Sequence, residues 1–176
     1  YPLPLTRVSH HMTNTPFEKA FTIDTSSIKF GPGITNEAGF ELNRLGAKHV
    51  MVVTDRHMAG NHAVERATES LRCQGIDHTV FDQVSVEPTD ESLKQAIRFA
   101  IEGKFDGFLP VGGGSSIDTA KAANLYSTYP VDFLEYVNAP IGKGIPVPGN
   151  LKPLVAVPTT IGTGSETTGV AIFDFK

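Results

Sequence analysis

Apolar residues recur along the chain in two rhythms that take turns. Short apolar runs of strand length, His49–Thr54, Ile76–Phe81, Gly107–Val111 and Leu154–Val157, alternate with longer segments whose apolar positions have helix spacing. Ile34–Leu45 sets Ile34, Ala38, Leu42 and Leu45 on one face and stops at Gly46, and Ala63–Gln74 stops at Gly75. A helix that starts near Thr89, with Asp90 and Glu91 in its electropositive first turn, carries Leu93, Ala96, Ile97, Ala100 and Ile101 on one face and ends at Gly103. Ser116–Tyr126 reads as another helix and Phe133–Val137 as a short one. Ala139–Pro153, rich in Gly and Pro, reads as a long loop, and Val170–Phe175 as a last strand. Strands that alternate with helices of this length need crossover connections, which build a parallel sheet buried under helices on both faces. The predicted fold class is therefore α/β. Phe21–Phe30, closed by Gly31-Pro32-Gly33, predicts an added edge hairpin at the N-terminal side.

Composition narrows the function classes. With 176 residues, 40% hydrophobic and 19% charged, the chain has the length and apolar content of one packed domain, expected over residues 17–176. Residues 1–16 hold no acid and are read as a disordered tail or the remnant of a targeting segment. Because the first residue is Tyr1 rather than Met, a processed product or a piece of a longer protein is expected. A net charge of −4 argues against a phosphate-backbone footprint, so nucleic acid is not an expected partner. The lone Cys73 cannot form an internal disulfide, which suits a reducing compartment. No apolar run reaches the roughly 18 residues that a membrane-spanning helix needs.

In open parallel sheets, ligands bind beyond the carboxyl ends of the strands, so the residues just after each strand matter most. Three such places are chemically loaded. Gly112-Gly113-Gly114-Ser115-Ser116 lies between a strand and a helix, where bare backbone and a helix start offer free N–H groups to a diphosphate; a tight turn without ligand is the plainer reading. Asp55 follows the first strand, where a carboxylate can accept ribose hydroxyls and repel a 2′-phosphate, or simply serve as the N-cap of the following helix. Pro158-Thr159-Thr160-Ile161-Gly162-Thr163-Gly164-Ser165-Glu166 puts four hydroxyls and two glycines in one loop, a set suited to a polar ligand. Asp118 and Lys121 share a helix face near the ligand mouth, or form an ordinary surface pair. His57 and His62 lie five apart and miss the spacing of a helical metal pair, and no G-x-S-x-G elbow marks a serine nucleophile.

The segments Gly112–Lys121 and Pro158–Glu166 resemble the paired signatures of the iron-containing (group III) alcohol dehydrogenases. Val86–Asp90, Ala122–Tyr126, Ala139–Gly144 and Ser165–Asp174 most resemble the mitochondrial, hydroxyacid-oxoacid transhydrogenase branch of that family. The likeness runs from about Phe17 to Lys176. It implies a Rossmann-like domain that holds NAD, followed in the family by an all-helical domain that holds a divalent metal, iron or zinc. By that resemblance Asp55 is the ribose-binding aspartate and Gly113, Gly114 and Ser115 form the pyrophosphate loop. Thr159, Thr160 and Thr163 contact the dinucleotide, with Asp118 in the same cofactor set. Glu87 departs from the pattern, since many relatives carry Asn there. The family's metal ligands, one aspartate and three histidines, fall beyond Lys176, so this chain is expected to carry no metal ligand and no assigned catalytic residue, and to be inactive alone. The implied reaction of the whole enzyme oxidises 4-hydroxybutyrate to succinate semialdehyde and reduces 2-oxoglutarate to 2-hydroxyglutarate on one bound nicotinamide. Its expected partners are these small hydroxyacids and oxoacids, with no membrane; homo-oligomers stay open. The expected place is the mitochondrial matrix, or the cytoplasm for a bacterial source. An alcohol or polyol dehydrogenase of the same family shares every motif, and a non-catalytic nucleotide-binding module is the reading without chemistry.

Overall fold

A computed structural model describes residues 26–176. The tail predicted over residues 1–16 and the first half of the hairpin strand, residues 21–25, lie outside the described residues. Ser26–Phe30 form no strand, so the described half of the predicted edge hairpin does not exist as a ladder. Lys29 is instead paired with Glu37 and Glu41, both at 2.6 Å, which draws the segment onto the following helix.

Strand β1 (His49–Val53) lies between β2 (Asp77–Phe81) and β3 (Gly107–Gly112), parallel to both, and β4 (Val157–Pro158) lies outside β3. Helices α1 (Ala38–Arg44), α2 (His62–Cys73), α3 (Asp90–Gly103) and α4 (Gly114–Thr128) follow in alternation, and α5 (Phe133–Tyr136) is a single turn. Side-chain alternation along the central strands divides the core in two. Val50, Val52, Leu109 and Val111 pack with Leu42, Val64, Ala67 and Leu71 from α1 and α2. Met51, Val53 and Phe108 pack with Ala96, Ala100, Ala120 and Ala123 from α3 and α4. Helices therefore cover both faces of a Rossmann-like parallel sheet.

Local chemistry sets the ends of these elements. Thr89 accepts from Ser92 N–H at 3.2 Å while Ser92 Oγ accepts from Thr89 N–H at 2.8 Å, a reciprocal cap that starts α3. Gly103, expected to end α3, is its last helical residue. Lys104 takes the left-handed position (φ 51°), and a Cβ on Gly103 would sit 2.2 Å from the Phe105 ring.

Three further predicted elements differ. The strand expected over Leu154–Val157 is interrupted. Phe108 N–H reaches Pro153 O and Val155 N–H reaches Phe108 O, but the next residue facing that way, Pro110, has no N–H to give. Pairing resumes at Val111 and Gly112 with Val157 and Pro158. The strand expected over Val170–Phe175 shrinks to one bridge between Thr89 and Asp174, because its neighbour becomes a helix one residue later. The helix expected from Ser116 begins two residues earlier, at Gly114, so most of the glycine run is helix start rather than loop.

Candidate functional site

The carboxyl ends of β1, β3 and β4 converge because the strands are parallel and adjacent. Thr54, fully buried just after β1, donates its hydroxyl to Val111 O at 2.8 Å and locks β1 to the end of β3. Gly112 O accepts from Thr159 N–H at 2.9 Å, which fixes the start of the threonine loop beside the glycines. From there α4 rises with Gly113 as its N-cap residue. The N–H groups of Gly113, Gly114 and Ser115 have no acceptor among the described residues. That is the ordinary condition of a helix start, and it aims three donors and the positive dipole end at one place.

The glycines do more than bare the backbone. A Cβ on Gly113 would lie 3.0 Å from Thr160 Oγ1, and one on Gly114 would lie 3.0 Å from both Thr163 Cγ2 and Ser165 Oγ. Their missing side chains let the threonine loop close onto α4, so two segments distant in sequence form one concave rim. Thr159, Thr160 and Thr163 are exposed on that rim. The hydroxyl of Ser115 is committed elsewhere: it donates to Val86 O and staples the loop between β2 and α3 to the helix start. What Ser115 can offer a ligand is its N–H.

Asp55 stands at the end of β1, partly buried. Its Oδ1 accepts from His57 N–H at 2.9 Å and Met58 N–H at 3.0 Å, so it closes a turn and is not a helix N-cap, a role that Asn61 takes for α2. Its Oδ2 has no donor among the described residues and stays free for a ligand. One oxygen of Asp55 thus holds the turn while the other stays open.

Asp118 is placed differently. It is buried one turn into α4, where Oδ2 accepts from Ile172 N–H at 3.1 Å and Oδ1 accepts from Lys121 Nζ at 3.2 Å. The structure therefore sets it against residues 168–172 rather than on the rim with the glycines. Lys121 also donates to Val170 O at 2.7 Å and Thr168 Oγ1 at 3.3 Å. Sequence spacing showed that Asp118 and Lys121 share a face, but not which segment that face meets. Nearly all of α4 is enclosed, which explains why its polar residues are bonded inward. Asn124, fully buried, donates to Lys152 O at 2.8 Å and accepts from Lys152 N–H at 3.2 Å. Burial also pushes the Lys152 ammonium below its usual value. Tyr126, stacked on Phe133, has its phenol pushed up to about 12, first by burial and then by Tyr136, so it stays a neutral donor.

Sequence reasoning missed the role of Val86, whose signal is a backbone carbonyl and is invisible in residue types. It also passed over Arg56, an exposed cation directly after Asp55. A cleft of about 1680 Å³ opens on the other side of the threonine loop, taking in Thr159, Thr160, Lys121 and Glu166 but neither Asp55 nor the glycines. Among the described residues no three His, Cys, Asp or Glu side chains come together as a metal site. No described helix is long and apolar enough to cross a membrane.

The family model for iron-containing alcohol dehydrogenase matches residues 25–176. Hydroxyacid-oxoacid transhydrogenase, mitochondrial, from Bos taurus is 58% identical over 158 residues, which cover 89% of this chain and 34% of that protein. The Homo sapiens protein of the same name is 55% identical over the same share. The chain thus spans about a third of the length of these relatives. Among solved structures, an alcohol dehydrogenase from Oenococcus oeni superposes with a TM-score of 0.78 at 32% identity, covering 89% of this chain and 40% of that one. A 1,3-propanediol oxidoreductase gives 0.76 at 31% identity, covering 85% and 38%.

Proposed function

Since the chain belongs to the iron-containing alcohol dehydrogenase family, whose members are oxidoreductases acting on small molecules, we propose that residues 17–176 form the NAD-holding domain of a hydroxyacid-oxoacid transhydrogenase and that residues 1–16 are a tail outside it. The observation that carries the reading is the trio of unbonded N–H groups on Gly113, Gly114 and Ser115, held beside the threonine rim at the carboxyl ends of a parallel sheet.

The residues fit a dinucleotide in sequence along that rim. Asp55 Oδ2 would accept from ribose hydroxyls while Oδ1 keeps its turn rigid, and its charge would disfavour a 2′-phosphate. The three N–H groups would bind the pyrophosphate, and the hydroxyls of Thr159, Thr160 and Thr163 would orient what lies between the rim and the cleft. When bound, NAD supplies the redox chemistry, taking a hydride from one substrate and returning it to the other. The protein's share in this domain is to bind and orient. The described residues bring no three His, Cys, Asp or Glu side chains together and so do not suit the metal implied by the family's name.

The proposed substrate pair is 4-hydroxybutyrate and 2-oxoglutarate, giving succinate semialdehyde and 2-hydroxyglutarate. The relatives named transhydrogenase support it, and their designation as mitochondrial supports a place in the matrix. The test uses the protein at its natural length. NADH titrated by fluorescence should bind, and 4-hydroxybutyrate with 2-oxoglutarate should give 2-hydroxyglutarate without added free NAD. Turnover that needs free NAD and a simple alcohol would favour the alcohol dehydrogenase alternative, binding without turnover would favour a non-catalytic module, and no NADH binding would end the reading.

A further inference from the structure

The threonine loop is tethered at its front by the β3–β4 pairing and the Thr159 N–H bond to Gly112 O. Between Thr160 and Thr163 no side chain of the loop is tied to another element by a hydrogen bond among the described residues. Behind it, the chain is gripped on α4 by a pair of opposite charges. Lys121 Nζ bonds Val170 O at 2.7 Å and Thr168 Oγ1 at 3.3 Å, and Asp118 bonds Ile172 N–H at 3.1 Å. The two side chains are 18% and 8% exposed, so this grip is shielded from water and salt in a way that surface pairs are not. The helix that grips the rear of the loop is also the helix whose first turn provides the anion donors.

We propose that Lys121 is a positioning residue for the nucleotide site. It holds the segment after the threonine loop so that Thr160 and Thr163 stay closed on Gly113 and Gly114, while Asp118 keeps the ammonium aimed at both acceptors. Lys121 touches no nucleotide in this account; it acts by ordering the rim beforehand, which lowers the conformational cost of binding. This rests on the nucleotide reading above, but the grip itself can be measured without any nucleotide.

The test compares wild type with Lys121→Met, which keeps the aliphatic stem, and Lys121→Arg, whose guanidinium can still donate to both acceptors. Amide hydrogen exchange in the protein without nucleotide should speed up at residues 159–168 in Lys121→Met and not in Lys121→Arg. The NADH dissociation constant should rise about fivefold or more in Lys121→Met, the low end of couplings between linked elements, and Lys121→Arg should restore it. Thr168→Val removes one acceptor at nearly constant shape, gives a weaker version of the same pattern, and serves if Lys121→Met does not fold. Unchanged exchange overturns the grip. Faster exchange with unchanged NADH affinity overturns the positioning role, as does an affinity loss that Arg does not restore. If wild-type protein does not bind NADH, the nucleotide reading fails first and takes this role with it, whatever the exchange data show.

Discussion

Asp55 is where the capping and ligand roles of one carboxylate can be pulled apart. Oδ1 accepts two backbone N–H groups and Oδ2 accepts none among the described residues. Asn and Asp cap turns about equally well, so Asp55→Asn should cost at most a few tenths of a kcal/mol in stability, whereas Asp55→Ala should cost about 1 kcal/mol through the lost cap. In the nucleotide site the order changes. Asn puts an amide NH2 where the free Oδ2 would accept a ribose hydroxyl, and the charge is gone as well. A hydrogen bond to a charged group contributes about 1.5–3 kcal/mol. Partial exposure of Asp55 favours the lower figure, so NADH affinity should fall about tenfold in both variants. Loss of the carboxylate also removes the charge that would repel a 2′-phosphate beside the exposed Arg56, so the preference for NADH over NADPH should narrow in both. Thermal melts read the first effect and fluorescence titrations with NADH and NADPH read the second. If Asp55→Asn keeps wild-type affinity and preference while Asp55→Ala melts earlier, the carboxylate is a cap and the ribose role is refuted.

The other expectations concern the same region and its supports. Ser115→Ala should lower stability by about 1 kcal/mol through the lost bond to Val86 O and leave NADH affinity close to wild type, since only the Ser115 N–H is offered to phosphate; a large affinity loss at unchanged stability would place the hydroxyl in the site. Leu71→Ala, at a fully buried position on the inner face of α2, should destabilise by about 2–5 kcal/mol in denaturant titration. The Lys94 ammonium holds the Asp90 carboxyl below its usual value of 3.8. A lowered carboxylate stabilises fully above its unfolded value and loses that contribution as pH falls through the folded one. Stability should therefore drop on acidification below the ordinary carboxylate range, and the drop should be shallower in Asp90→Asn; equal acid limbs would show that the pair does not couple to folding.

Much of the fold was legible because burial writes itself into periodicity. β1 reads as an apolar run because Val50, Met51, Val52 and Val53 face two cores at once, and α3 reads as a helix because Leu93, Ala96, Ile97 and Ala100 fall on one side. The glycine and threonine segments could be picked out for similar reasons: residue types that bare the backbone or carry hydroxyls, placed directly after strands, are chemistry that local sequence can express. The helix N-cap read at Asp55 falls on Asn61 instead, and Asp55 closes the turn before it.

What local sequence could not express is partnership at a distance. Pro110 breaks the ladder to β4 only because β4 lies on the side its missing N–H would have served, and that depends on strand order. Asp118 looks like a helix-surface acid until residues 168–172 fold over it and bury it. Ser115 looks like a phosphate ligand until Val86 O arrives to take its hydroxyl. The sequence by itself determined the three central strands, the helices that cover them and the loops that carry polar chemistry, since those follow from hydrophobic spacing and backbone freedom over a few residues. Only the tertiary structure decided which of those polar groups remain open to a ligand, because a hydrogen-bonding group is used up by whatever partner packing brings into reach, and packing joins residues as far apart along the chain as Asp118 and Ile172.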